Sequence, residues 1–211
     1  MESADELLEH LDPEQREVAT RFGVPLCVRA GAGTGKTRAI TYRIAYAARA
    51  GILDPRNVMA LTFTSRAAGE LRSRLRDLGV RGASAHTFHA AALRQLSYFW
   101  GTAVGGAVPP IAENKLSMVA QAAGQLGMTT DSVSLRDMAS EIEWSRVSLV
   151  TPDDYPDRAR SLQRDQAAGY PAEEIARLIR IYEDVKQNRG VIDFEDVLLL
   201  LIGILIDRPD V

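Results

Sequence analysis

The chain has 211 residues, of which 46% are hydrophobic and 25% are charged, a composition that excludes a disordered or collagen-like protein. Its longest apolar run, residues 197–206, is ten residues long, which is about half of the roughly 20 needed to span a membrane. The acidic, polar start of the chain lacks the basic and apolar regions of a secretory signal. We therefore predict a cytoplasmic protein with no membrane partner.

The formal net charge of −3 is unevenly distributed along the chain. Residues 1–110 carry 14 basic and 10 acidic side chains, or +4, whereas residues 111–211 carry 11 and 18, or −7. Thirteen of the basic residues lie between Arg21 and Arg94, a window with only three acidic residues. Such a window could meet phosphate groups, although an ordinary solvated face has the same composition.

The single cysteine, Cys27, cannot pair within the chain and excludes a cysteine metal cluster. It lies in the apolar stretch 24–28, so we expect it to be a small buried side chain.

The first half of the sequence alternates between strand and helix patterns. We predict strands at 24–29, 58–63 and 83–85, helices over about 35–50 and 65–78, and a third helix after the last strand that runs through Tyr98. Gly51 and Gly79 mark the ends of the first two helices. This alternation is typical of a parallel sheet with crossover helices, so we predict an α/β fold.

The pattern of apolar residues changes at the glycine- and proline-rich stretch 101–110. Beyond it the apolar residues recur mainly at helical spacing, which predicts an all-helical insert over 111–188. Residues 189–211 would then return to the first domain as a helix, with Asp193 as its N-cap. The predicted domains are therefore 1–110, 111–188 and 189–211.

A glycine-rich loop follows the first predicted strand and opens a helix, the context of a phosphate-binding loop. Backbone amides there can point at phosphate oxygens, and the helix N-terminus favours negative charge. Lys36 would reach the β- and γ-phosphates of ATP, and the Thr37 hydroxyl would hold Mg²⁺. The loop residues predicted to bind the nucleotide are Ala30, Gly31, Ala32, Gly33, Thr34, Gly35, Lys36 and Thr37.

Gln15 lies 21 residues before Lys36. Its amide offers a donor and an acceptor together, which suits the edge of adenine. Taken by itself, a glutamine at this position is more often a surface residue of a helix.

Five segments stand in an order and spacing that resembles the UvrD/Rep/PcrA-type superfamily 1 DNA helicases. They are LDPEQRE, AGAGTGKTRAITYRIA, ALTFTSRAAGELRSRL, AHTFHA and IDFEDVLLL. The insert segment EIEWSRVSLVTPDDY is similar to the second UvrD paralogue of actinobacteria. The resemblance covers essentially the whole chain but only the first third of such a helicase.

The resemblance implies a RecA-like P-loop NTPase lobe, with an incomplete parallel sheet, that carries the insert. It also implies that Gln15 specifies adenine, that Arg38 packs against the base or the phosphates, and that ATP drives 3′ to 5′ movement on single-stranded DNA. A second RecA-like lobe, in the rest of the helicase, would complete the motor.

Two motifs of the resemblance imply contacts with single-stranded DNA. The first contains Phe63, Thr64 and Arg66, although the family commonly has asparagine and lysine where this chain has Ser65 and Arg66. The second contains Thr87, Phe88 and His89. Aromatic faces suit unstacked bases, and hydroxyls suit phosphate oxygens. From the residues alone, Phe63 could instead be a core residue at a strand end, and His89 a packed or capping residue.

A complete motor also needs a carboxylate pair for Mg²⁺ and for water activation. No Asp-Glu-x-Gln occurs in the 211 residues, so we expect the chain to be the first lobe and its insert, cut before the catalytic acids and inactive alone. Asp207 ends an apolar run, which is also the pattern of a buried strand that ends in a Mg²⁺ ligand. We instead predict that this run is a helix and that Asp207 has no role in Mg²⁺ binding.

Two other functions are compatible with a phosphate-binding loop. One is a non-catalytic nucleotide- or DNA-binding remnant of such a helicase. The other is a small P-loop kinase, which the DNA motifs and the absence of an arginine-rich lid after the third strand disfavour.

Overall fold

The computed structural model describes residues 3–31, 33–164 and 166–210. The chain divides into two compact units, Met1–Ala91 and Ala92–Val211. In the described part, no helix is both long enough and apolar enough to cross a membrane.

The first unit contains helices and a short parallel sheet. Strands β1 and β2 pair in parallel, with Thr62 opposite Thr87, and helix α4 connects them. Helices α1, α3 and α4 enclose a small apolar core that includes Leu7, Ile44 and Leu75. The elements are α1 (Ala4–Glu9), α2 (Pro13–Thr20), α3 (Lys36–Arg49), β1 (Met59–Thr62), α4 (Ser65–Asp77), β2 (Ser84–Thr87) and α5 (Phe88–Ala103), which continues into the second unit.

The predicted helices are confirmed as α3, α4 and α5, and side-chain caps begin two helices of this unit. The Asp12 carboxylate accepts a hydrogen bond from the Gln15 backbone N–H at 2.8 Å and begins α2. The Thr64 hydroxyl accepts one from the Ala67 backbone N–H at 3.1 Å and begins α4. Each cap satisfies a backbone donor that has no partner inside its helix.

The prediction of a strand over 24–29 is wrong, because residues 24–29 have no regular secondary structure and are mostly exposed. A strand exists only where a neighbouring strand satisfies its backbone groups, and in the described residues β1 and β2 pair only with each other. The expected burial of Cys27 is wrong for the same reason, since its side chain is exposed.

The second unit is mostly helical. Its helices are α6 (Lys115–Gln125), α7 (Ser132–Val147), α8 (Tyr155–Ser161), α9 (Ala172–Arg189) and α10 (Phe194–Asp207). The insert is not all-helical as predicted, because β3 (Gln166–Ala167) and β4 (Tyr170–Pro171) form an antiparallel hairpin. The turn between them uses positive φ angles at Ala168 (51°) and Gly169 (81°), which match the twist of paired strands.

Two separate apolar cores lie in the second unit. One is formed by α6 to α9, with Tyr155 and Tyr182 fully buried in it. The other joins residues of α5 from Ala92 onwards to Ile192 and α10. The predicted N-cap Asp193 is confirmed, since its carboxylate accepts a hydrogen bond from the Asp196 backbone N–H at 2.9 Å.

A buried charged cluster lies where α7, α9 and α10 meet. The Lys186 ammonium, on a residue that is 2% exposed, is 3.0 Å from a carboxylate oxygen of Asp193 and of Glu183, and 2.7 Å from one of Asp196. Arg146 pairs with Glu183 at 2.8 Å and also with Asp196. Each buried charge therefore has a partner, as burial of ions requires.

Candidate functional site

Two glycines shape the glycine-rich loop of the first unit. Gly33 and Gly35 have φ angles of 78° and 84°, a left-handed conformation that other residues adopt at a cost. Gly35 is also the N-cap of α3, so the loop leads directly into a helix start. Ala32, predicted to belong to the loop, lies outside the described residues.

The Lys36 side chain folds back over this loop. Its ammonium donates hydrogen bonds to the carbonyl of Ala30 at 2.9 Å and to that of Gly31 at 2.6 Å. The Thr34 hydroxyl also donates to Gly31 O, at 2.9 Å. The loop therefore gathers its own cation beside the backbone amides at the start of α3, which is an arrangement suited to polyphosphate.

The Gln15 side chain also contacts the loop. Its side-chain Nε2 donates to the Thr34 carbonyl at 3.3 Å, and a Cβ added to Gly35 would lie 2.6 Å from that same nitrogen. Helix α2 thus brings an amide group into contact with the loop, which sequence spacing alone left open.

The loop and α2 border one cavity of about 440 Å³. Ala30, Gly31, Thr34, Gly35 and Lys36 line it together with Gln15. Val18 and Arg29 line it as well and were not singled out from the sequence. Val18 follows Gln15 by three residues in α2, so helical spacing could have found it, whereas Arg29 carries no such signal.

Thr37 and Arg38 occupy the first turn of α3, and Thr37 is half-buried. The Arg38 guanidinium donates to the His10 carbonyl at 2.7 Å and lies 5.3 Å from the centre of the Tyr42 ring. Among the described residues, no group of three or more His, Cys, Asp or Glu side chains could hold a metal ion. Thr37, predicted from the sequence to hold Mg²⁺, directly follows Lys36 in this turn. Asp207, as predicted, ends the helix α10 and not a strand.

The residues of the two predicted DNA motifs meet at one edge of the sheet. Because β1 and β2 are parallel and in register, Phe63 and Phe88 follow the same ends of adjacent strands. Their ring centres are 5.3 Å apart, and the two residues are 89% and 42% exposed. Phe63 is therefore not a core residue, and the pair presents aromatic surface to solvent.

Helix starts flank this aromatic pair. Thr64 caps α4, and the Thr87 hydroxyl accepts a hydrogen bond from the Ala90 backbone N–H at 3.2 Å at the start of α5. Arg66 is exposed and forms an ion pair with Glu70 at 3.1 Å, and His89 is half-buried in the first turn of α5. The edge combines aromatic faces with helix N-termini, which suits bases and phosphates respectively.

Comparison with known proteins identifies the family. Residues 11–211 match the family described as the UvrD/REP helicase N-terminal domain. The chain belongs to this family. It is 42% identical over 208 residues to the ATP-dependent DNA helicase UvrD2 of Mycobacterium tuberculosis, an alignment that covers 93% of this chain and 29% of that protein. The UvrD2-like resemblance of the sequence is thereby confirmed.

More distant relatives carry related names. The ATP-dependent DNA helicase PcrA of Leuconostoc citreum is 28% identical over 221 residues, covering 99% of this chain and 28% of that protein. The probable DNA helicase II homolog of Rickettsia felis is 28% identical over 208 residues, covering 95% and 30%. The chain spans less than a third of the length of these curated relatives.

Proposed function

We propose that this chain is the ATP-binding N-terminal portion of an ATP-dependent DNA helicase that translocates 3′ to 5′ on single-stranded DNA. The relatives are ATP-dependent DNA helicases by name, and the direction of movement follows the family resemblance alone. The observation that carries the proposal is the loop of residues 30–36 with the Lys36 ammonium folded over it and the Gln15 amide against it.

In this proposal, residues 1–110 are the first part of a RecA-like lobe, 111–188 are an insert and 189–211 return to the lobe. The boundaries of the insert are supported by contacts within the second unit. Ile111 and Ile192 form a parallel bridge, and the Ile192 backbone N–H donates to the Pro110 carbonyl at 3.0 Å. The segments that enter and leave the insert therefore lie side by side, as expected for an insert. The second RecA-like lobe of the helicase would be the partner of this portion.

ATP would bind in the cavity beside α2 and the loop. The Lys36 ammonium has three donors, and it would exchange the carbonyls of Ala30 and Gly31 for oxygens of the β- and γ-phosphates. The Gln15 amide would read the adenine edge, and Arg38 would pack against the base or the phosphates. Thr37 would hold Mg²⁺, whose charge would neutralise phosphate oxygens when bound.

Substitution of Lys36 tests the nucleotide site. Lys36→Ala should abolish detectable ATP binding, because the remaining amides leave the γ-phosphate charge uncompensated. Arg76→Ala is the matched control, since it removes the same charge from an exposed position of α4. Equal ATP affinity of Lys36→Ala and the parent by calorimetry would refute the assignment.

Single-stranded DNA would cross the edge formed by Phe63, Thr64, Thr87 and Phe88, with Arg66 and His89 beside it. Phe63→Ala should weaken binding of oligo-dT by about 1–3 kcal/mol, the value of one base stack, and binding should fall steeply with salt. Tyr98→Ala, which removes another exposed aromatic side chain, should leave binding unchanged. Duplex binding as tight as that of oligo-dT throughout a salt titration would contradict the stacking arrangement.

These 211 residues contain no Asp-Glu-x-Gln, so we expect ATP binding without helicase-like turnover. Steady-state hydrolysis assays with and without single-stranded DNA measure this directly. DNA-stimulated turnover by the chain alone would show that another residue activates water.

A further inference from the structure

The position of Gln15 depends on how helix α2 is held, because its own bond to the loop is weak. The Gln15 Nε2 to Thr34 O distance of 3.3 Å lies at the long end of N–H···O hydrogen bonds. The amide sits on α2, which packs on α3, the helix that the loop opens into. What fixes α2 on α3 therefore also fixes the distance between the amide and the loop.

Arg43 of α3 holds the C-terminal end of α2. Its guanidinium donates from Nη1 to the Val18 carbonyl at 2.6 Å and also to the Arg21 carbonyl. The carbonyls of the last turn of a helix lack partners within it and carry the negative end of its dipole. A guanidinium at this point donates hydrogen bonds to the carbonyls and also offsets the negative end of the dipole. A neutral side chain could not do both.

Aromatic rings hold Arg43 in turn. Its guanidinium carbon lies 4.3 Å from the centre of the Phe22 ring, and that ring is stacked on Tyr46 with an interplanar angle of 9°. Partial burial lowers the pKa of the Arg43 guanidinium. The side chain is half-buried and has restricted freedom.

We propose that Arg43 is a positioning residue that sets the adenine specificity of the nucleotide site by fixing α2, and with it the Gln15 amide, against the loop. Val18 links Arg43 to the nucleotide cavity. Its carbonyl accepts a hydrogen bond from Arg43, and the residue lines the cavity one helical turn from Gln15. Arg43 itself is not among the residues that line the cavity. The inference rests on the proposed function, because it needs Gln15 to read adenine.

Calorimetry with ATP, GTP and inorganic tripolyphosphate tests the proposal on the 211-residue chain. Arg43→Gln should weaken ATP binding by about tenfold, the upper range for one lost hydrogen bond, while the affinities for GTP and tripolyphosphate change less than about twofold. Arg43→Lys keeps the charge and can still donate to a carbonyl, but it lacks the planar guanidinium that lies over the Phe22 ring, so it should recover part of the ATP preference.

Two controls separate the causes. Gln15→Ala should abolish the preference for ATP over GTP entirely. Arg72→Gln should leave all three affinities unchanged, because Arg72 donates to the Ala85 carbonyl at 2.5 Å, a contact of the same kind away from α2.

Each outcome has one meaning. Equal ATP and GTP binding by the parent would refute adenine reading by Gln15, and so the proposed function at this point. A preference that Gln15→Ala loses and Arg43→Gln retains would refute the role of Arg43 alone. If Arg43→Gln lowers the affinities for ATP, GTP and tripolyphosphate by the same factor, Arg43 serves folding and not specificity.

Discussion

Alanine substitution of three loop glycines separates two physical costs in the nucleotide loop. Gly31 has no left-handed φ, and an added Cβ would meet Thr34 Cγ2 at an ordinary 3.6 Å. Gly33, at φ 78°, has open space around an added Cβ. Gly35, at φ 84°, would place its Cβ 2.6 Å from Gln15 Nε2. Alanine at Gly33 therefore adds backbone strain alone, and alanine at Gly35 adds backbone strain and a collision with Gln15.

The magnitudes follow from these geometries. Gly31→Ala should be neutral or stabilise by up to about 1 kcal/mol, through lower entropy of the unfolded chain. Gly33→Ala should destabilise by about 1–2 kcal/mol, the cost of a left-handed non-glycine residue. Gly35→Ala should cost the same plus about 0.5–1.5 kcal/mol, because the Gln15 amide must move and lose its bond to Thr34.

Urea unfolding followed by far-ultraviolet circular dichroism measures these free energies. The excess cost of Gly35→Ala over Gly33→Ala should vanish in a Gln15→Ala background, because the colliding amide is then absent. An excess that persists in this background would refute the collision. Equal free energies for all three single variants would refute the left-handed loop geometry.

Buried polar side chains of the second unit give three further predictions. Lys186→Met should destabilise the chain by about 3–5 kcal/mol in the same urea assay, because the carboxylates of Asp193 and Asp196 lose their buried ammonium partner. Burial alone would raise the pKa of Asp193, but Lys186, with smaller contributions from Tyr182 and Arg146, lowers it below the ordinary value of 3.8. The stabilisation from the ionised Asp193 is therefore present above pH 3.8 and is lost as the pH falls through the lower pKa of the folded protein. An unfolding free energy that stays constant as the pH falls below 3.8 would contradict this. Burial raises the pKa of Tyr155 and of Tyr182, the former also through Glu141 and the latter through Asp193, so two of the six tyrosines should resist ionisation in an absorbance titration until the protein unfolds at alkaline pH.

Local chemistry explains which parts of the fold could be predicted from the sequence. Thr64 and Asp193 begin helices at predicted positions because a cap acts on a backbone N–H three residues away. The strand predicted at 24–29 depends on a partner strand, which is a long-range condition that apolar composition does not report. Cys27 illustrates the consequence, since its expected burial required the sheet to be there.

The same distinction applies to the candidate site. The loop glycines are recognisable because their spacing is local, and Phe63 and Phe88 meet because parallel strands in register bring their ends together. The hydrogen bonds of Arg43 are made to backbone carbonyls. A backbone carbonyl is present at every residue, so no residue type in α2 could indicate that contact.

The environments of two lysines indicate which of them is available to a ligand. Lysine is rare in this chain, at Lys36, Lys115 and Lys186, among 25 basic residues, and rarity alone does not separate a ligand-binding lysine from a structural one. Lys186 is buried among three carboxylates that neutralise it. Lys36 is exposed, and among residues 3–31, 33–164 and 166–210 its ammonium is bound by neutral carbonyls and by no carboxylate. A phosphate oxygen would therefore displace only dipoles from Lys36, whereas it would have to displace buried anions from Lys186, and the first exchange is the one that electrostatics favours.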